Sequence, residues 1–236
     1  MTAPDSIVFL VDVDNTLIDN DRIQVDMRQY LEREFGALCR DRYWTIQERL
    51  FAELGYRDYL GALQRYRVEY PDDMNVLSMS AFFLDYPFGD RLYPGALEVV
   101  ARLRAWGRTV ILTDGDVVFQ PRKVERSGIW AAAGGSVLIY VHKEEALEDV
   151  ERRYPARHYV LVDDKLRILA AVKQAWGERV TTVFPRQGQF ASDAKVLASY
   201  PDADLTIERI GDLLTYDLPA LVAGGRSTQP ATMVTR

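Results

Sequence analysis

The sequence holds a single cysteine, Cys39, which excludes an internal disulfide and leaves packing and hydrogen bonding to hold the fold. There are two histidines, His142 and His158, too few for a histidine-rich zinc centre or for most two-metal sites. Lysine is scarce: none precedes Lys123, which narrows the choice of any catalytic ammonium group. The basic residues form no run, and the net charge of −6 provides no electrostatic footprint for nucleic acid or an anionic membrane. No apolar stretch approaches the ~20 residues that a membrane-spanning helix needs. The opening "MTAPDSIVFLV" has no basic segment followed by a long apolar one, so no signal peptide is expected and a cytoplasmic location is.

What the chain does contain is ordinary in amount and informative in order. Its 236 residues, 48% hydrophobic and 27% charged, are those of a globular protein with one main core and room for a subdomain. Short apolar runs at residues 7–11, 110–112, 137–141, 159–162, 180–184 and 205–207 read as strands. Helix-period segments lie between them, one from Pro94 to Gly107, one from about Glu144 to Tyr154 and one from Lys165 to Trp176 closed by Gly177. Near-continuous apolar strands alternating with helices predict an α/β fold, a doubly wound, Rossmann-like parallel sheet covered on both faces. Ligands in such sheets bind beyond the carboxyl ends of the strands.

One segment departs from this alternation. Residues 20–91 offer no strand, only helical patterns such as "RIQVDMRQYLEREFG", and just over half of the aromatic residues lie between Tyr30 and Tyr93. The expected organisation is a catalytic core of residues 1–19 and 92–221, an inserted α-helical cap of 20–91 with a small core of its own, and a disordered tail of 222–236. Such an insertion would sit over the strand ends as a lid. Arg22, Tyr43, Arg57, Tyr59 and Arg67 are its candidate substrate contacts, and helical spacing alone does not say which of them face the site.

The chemistry concentrates at three strand ends. In "FLVDVDNT" Asp12 and Asp14 are two residues apart, so on a strand their carboxylates point the same way. Like charges held that close favour a cation between them, and hard Mg²⁺ suits oxygen ligands. "VILTDGD" adds the Thr113 hydroxyl, with Asp114 and Gly115 in a turn whose amides can face an anion. "VLVDDK" adds Asp163 and Asp164.

These motifs together resemble the haloacid dehalogenase-like superfamily over roughly residues 6–210. The family pattern hhhDxDx(T/V) is met by "FLVDVDNT", hhh(S/T) by "VILT", and the strand with its terminal acidic pair by "VLVDD". The resemblance implies a phosphohydrolase of small phosphorylated metabolites with Mg²⁺ as cofactor, and a helical cap between the first two motifs. Asp12 would be the nucleophile that forms an aspartyl-phosphate. Asp14 would be the general acid and base, its backbone carbonyl helping to hold the metal, and Thr16 would support the loop. Thr113, Asp114, Gly115 and Lys143 would bind phosphoryl oxygens, and Asp12, Asp14, Asp163 and Asp164 would form the metal site. Lys143, twenty residues before Asp163 and followed by Glu144 where the family often has proline, is the expected lysine; Lys123 and Lys165 are the alternatives. A phosphomutase keeps the same residues, whereas a 2-haloacid dehalogenase needs neither Asp14 nor the metal. A receiver module of signalling proteins uses similar groups in a different order along the chain.

Overall fold

The computed structural model of the chain describes residues 5–218, 220 and 222, so the expected tail of 222–236 lies almost wholly outside the described residues. Strands β1 (Asp5–Val11), β2 (Arg108–Asp114), β3 (Val137–Tyr140), β4 (Ala156–Val162), β5 (Val180–Pro185) and β6 (Leu205–Ile207) form one parallel sheet in the order β3-β2-β1-β4-β5-β6. All six apolar runs are therefore strands. The chain works outward from β1 to β3 and then crosses to β4 on the other side of β1, which puts the topological switch point between β1 and β4. Register sets the chemistry there: Val11 pairs with Val162, and the Asp12 N–H donates to the Val162 carbonyl at 3.0 Å. Asp12 and Asp163 thus leave the sheet side by side.

Helices α1 (Asn20–Leu54), α2 (Tyr59–Glu69) and α3 (Val76–Asp85) fill the interval between β1 and β2, completed by α4 (Ala96–Trp106). Further along come α5 (Phe119–Arg126), α6 (Ile129–Ala132), α7 (Leu147–Arg153), α8 (Leu166–Trp176), α9 (Gly188–Ser192) and α10 (Ala194–Ser199). Helix α1 is broken at Gly36, whose φ of +85° is open to glycine and strained for other residues. The segment from Pro94 is helical from Ala96, and it ends at Gly107, where any Cβ would lie 2.6 Å from the Ile7 carbonyl oxygen. One expectation changes in detail. The helix expected from Glu144 begins as a 3₁₀ turn, Lys143–Glu145, before α7, because the Asp114 carboxylate accepts the Lys143 N–H at 2.7 Å and fixes the entry of the chain.

Alternate residues of β1 serve different cores. Val8 and Leu10 pack with α8 through Ile168, Leu169 and Val172, while Phe9 and Val11 face the side that also receives the insertion. The expected separate core of residues 20–91 is not what forms. Its buried residues Tyr43, Tyr59, Met79 and Phe83 belong to one continuous cluster with Phe9, Val11 and Phe119. Phe119 is the joint, its ring 4.8 Å from that of Tyr59 and 5.5 Å from that of Phe88. The two crossing strands of chain are tied together as well: Asp19 N–H donates to the Arg91 carbonyl at 2.8 Å and Tyr93 N–H to the Leu17 carbonyl at 2.9 Å.

This shared core predicts that Phe119→Ala will destabilise insertion and sheet together by about 3–5 kcal/mol, the usual range for truncating a buried aromatic. Leu38→Ala, at a side chain 64% exposed, should stay within about 0.5 kcal/mol of the parent. Chemical denaturation followed by far-ultraviolet circular dichroism checks both, and separate unfolding of the insertion in the parent protein would contradict the shared core.

Candidate active site

Loop 12–18 carries the first two aspartates and is held from several directions. Asn15 sits at φ +59°, a left-handed conformation that asparagine tolerates better than most residues. Its side-chain carbonyl accepts the N–H groups of Asn20 (3.0 Å) and Asp21 (3.2 Å), joining the loop to the start of α1. Gln187 Nε2 donates to the carbonyls of Asn15 and Thr16 from the far side. The Thr16 hydroxyl accepts the Asp164 N–H at 3.1 Å and so links this loop to the end of β4, the supporting role expected of it.

At the switch point Asp12, Asp163 and Asp164 are all buried, and each offers a carboxylate oxygen within 4.8 Å of the others. Lys143 Nζ lies 2.5 Å from Asp12 Oδ1 and forms an ion pair with Asp163 Oδ2 at 2.6 Å. The second contact has the distance of a hydrogen bond without its geometry, since Asp163 Oδ2 has no hydrogen-bond partner. Asp12 Oδ2 and both oxygens of Asp164 are likewise buried without a donor. Three carboxylates against one ammonium leave two negative charges uncompensated. Burial therefore raises the pKa of both Asp163 and Asp164 above the usual carboxylate range, Asp163 to about 6, although Lys143 and Lys165 pull back. Burial alone would depress the Lys143 ammonium, but Asp12 and Asp163 outweigh it and hold the group firmly charged. Orphaned hard oxygen atoms with a charge deficit of two fit a divalent oxygen-seeking cation.

The Asp14 side chain is not part of that cluster. It turns to Lys123, whose buried Nζ lies 2.6 Å from Asp14 Oδ1 and 3.1 Å from Asn20 Oδ1. The two lysines thus have separate partners: Lys143 serves Asp12 and Lys123 serves Asp14. Any part that Asp14 takes in a metal site falls to its backbone carbonyl, since its carboxylate is committed elsewhere.

Thr113, at the end of β2, accepts a hydrogen bond from Gln120 Nε2 at 2.9 Å and donates its own proton to the Asp114 carbonyl only over 3.4 Å, a bond long enough to be exchanged for a better acceptor. Sequence reading passed over Gln120. Its signal was Gly115, where a Cβ would lie 2.6 Å from the Gln120 Cβ. The Gly115 amide itself, expected to face an anion, is already donated to the Tyr140 carbonyl at 2.9 Å. That expectation is corrected, because the end of the sheet uses the group. Asp114 is likewise an anchor for Lys143 N–H rather than a side chain suited to anions, and burial raises its pKa above the usual carboxylate value.

A cavity of roughly 410 Å³ opens on this site, with Asp14, Asn20, Asp114 and Lys123 on its floor. The insertion supplies another wall, from Phe51 to Tyr59. Of the five insertion residues singled out from sequence, Arg57 and Tyr59 line this cavity. Tyr43 is buried behind them, donating its hydroxyl to the Tyr59 carbonyl at 3.0 Å, and Arg22 pairs with Asp26 at 3.1 Å. The Tyr59 hydroxyl is buried beside Asn20 without completing a hydrogen bond.

Comparison with known proteins agrees with this arrangement. The haloacid dehalogenase-like hydrolase profile matches residues 8–175. A solved structure from Burkholderia xenovorans LB400, assigned to the haloacid dehalogenase-like hydrolases, is 61% identical with a TM-score of 0.89, covering 92% of this chain and 99% of that one. The fold also matches the HAD-hydrolase YfnB of Bacillus subtilis, solved bound to magnesium, at 15% identity and TM-score 0.58, over 88% of this chain and 96% of that one. L-2-haloacid dehalogenase of Xanthobacter autotrophicus matches at 16% identity and TM-score 0.58, over 93% of this chain and 99% of that one. Comparison with curated proteins finds no match. With the family profile spanning most of the sheet and the aspartates gathered at its switch point, the chain belongs to the haloacid dehalogenase-like hydrolases.

Proposed function

We propose that the protein is a Mg²⁺-dependent phosphohydrolase of small phosphorylated metabolites, working through an aspartyl-phosphate on Asp12. The observation that carries this reading is Asp164, buried with both carboxylate oxygens lacking a donor beside Asp12 and Asp163. Displacing halide from carbon needs one attacking carboxylate, no cation site and no second aspartate. The excess of buried negative charge, with Asp14 held by its own lysine, supports phosphoryl chemistry instead.

Asp12, Asp163 and Asp164 would hold the metal with the Asp14 carbonyl. When bound, Mg²⁺ would neutralise the cluster and reduce repulsion between an anionic nucleophile and an anionic phosphate. Lys143 holds Asp12 in one orientation. A carboxylate oxygen of Asp12 attacks phosphorus as the bond to the leaving oxygen breaks, and Asp14 gives that oxygen a proton. Thr113, its acceptor side filled by Gln120, donates to a phosphoryl oxygen. In the second step Asp14 takes a proton from water, the water oxygen bonds to phosphorus, and the bond from phosphorus to Asp12 breaks to restore the carboxylate. The insertion bounds the space around the leaving group, which favours a small metabolite over a folded phosphoprotein.

Phosphate release from a panel of phosphorylated metabolites and an aryl phosphate should require Mg²⁺ and stop in chelator. Asp12→Asn should abolish turnover, and Asp14→Asn should lower kcat by about 10²–10⁴, the usual worth of general acid–base help. Halide release from a 2-haloacid in chelator, with no phosphate release under any condition, would reassign the protein as a dehalogenase.

Metal binding can be read without turnover. Mg²⁺ at a hundred times its Kd should stabilise the fold by ~2.7 kcal/mol. Asp164→Asn should remove most of that gain, measured as the metal-dependent rise in Tm. An equal rise in parent and variant would place the cation elsewhere.

A further inference from the structure

The cations around the cavity are unequal. Arg57 reaches Glu48 at 3.1 Å and Gln47 at 3.3 Å, Lys123 reaches Asp14 at 2.6 Å, and Arg167 is paired with Glu144. Lys165 lines the same cavity, and among the described residues no carboxylate lies within ion-pair distance of its Nζ. Its backbone is nevertheless fixed, since its N–H donates to Asp163 Oδ1 at 2.8 Å at the start of α8. Its ammonium lies 5.8 Å from the centroid of the Phe190 ring.

Lys165 has an obvious lesser role as counter-charge to the aspartate cluster. The charge count argues against that as its whole function. The cluster lacks two positive charges, and the divalent cation proposed above supplies both, which leaves the Lys165 charge available. The aromatic walls Phe51, Tyr56, Phe190 and Tyr200 bring no carboxylate to the cavity, and the two carboxylates that do line it are engaged elsewhere, Asp14 by Lys123 and Asp114 by the Lys143 N–H. A partly buried ammonium with an anchored backbone and an unpaired tip has the chemistry of an anion subsite.

We propose that Lys165 binds a second anionic group on the substrate, so that the site selects small phosphomonoesters whose leaving part itself carries a carboxylate or another phosphate. The proposal rests on the phosphohydrolase reading, because the phosphoryl group is what fixes the other end of the molecule at Asp12. Lys165 is then a specificity residue contributed by the sheet side of the cavity, facing the insertion across the leaving group.

The test is binding of non-hydrolysable ligands to the full chain in Mg²⁺, by calorimetry. ω-Carboxyalkylphosphonates with one to four methylenes are each compared with the alkylphosphonate of the same length. At the length that spans the cavity, the carboxylate should tighten Kd by about tenfold, as a charged hydrogen bond would. Lys165→Met should erase that advantage while moving the Kd of the plain alkylphosphonate less than about twofold, and Lys165→Arg should keep most of it. Lys165→Gln serves should the methionine variant fail to fold, and α,ω-bisphosphonates in the same series distinguish phosphate from carboxylate as the second anion. No advantage for either anion at any length overturns the proposal. So does an equal loss for both series in Lys165→Met, which would put the ammonium on the phosphoryl group. Failure of every phosphonate to bind overturns the phosphohydrolase reading itself, a result distinct from binding without preference.

Discussion

The buried contact of Lys143 with Asp12 and Asp163 is the constraint around which the site is built. A lysine ammonium in a desolvated position is stable only where carboxylates meet it, and the carboxylates are tolerable there only because it is present. Each neighbouring feature serves that contact. The β1–β4 register puts Asp12 beside Asp163, and the Asp114 carboxylate anchors the Lys143 backbone. The 3₁₀ turn before α7 lets the side chain enter from the β3 side. Because one ammonium cannot balance three carboxylates, the same contact leaves a charge deficit that suits the place to a divalent cation.

Surrounding that centre are hydrogen bonds whose work is positional. Asn15, Thr16 and Gln187 fix the loop bearing Asp14, and Gln120 sets the direction in which the Thr113 hydroxyl can donate. Their partners are loops distant in sequence, so their roles emerge only after the chain has folded. Such a frame holds reacting groups in place before substrate arrives, which is how a rigid scaffold contributes to rate.

Much of the fold could be read from the sequence because parallel strands in a covered sheet are apolar on both faces and therefore stand out as runs. The strand-end aspartates were equally legible, since strand ends and ligand sites coincide in this architecture. What escaped was long-range pairing. Nothing near Lys123 in sequence says that it belongs to Asp14, and glutamines such as Gln120 and Gln187 carry no local pattern. Gly115 was read as a backbone opening for an anion, when the space it leaves is filled by the Gln120 side chain. The insertion was recognised by its helical period and aromatic content, but periodicity cannot tell a self-contained core from one continuous with Phe119 and the sheet.

The paired linkers of the insertion bear on how the chain can fold at all. The central strand β1 pairs with β2, whose residues lie about a hundred positions later, and closing so long a loop in an unfolded chain carries an entropic penalty. Once the intervening helices have formed, the bonds from the Asp19 N–H to the Arg91 carbonyl and from the Tyr93 N–H to the Leu17 carbonyl hold the two ends within one hydrogen bond of each other. The effective separation between β1 and β2 then shrinks to that of a short connection. During synthesis those helices leave the ribosome before β2 does, so order of emergence and order of assembly agree, and an aromatic-rich segment inserted into the middle of a sheet shortens the path by which that sheet is made.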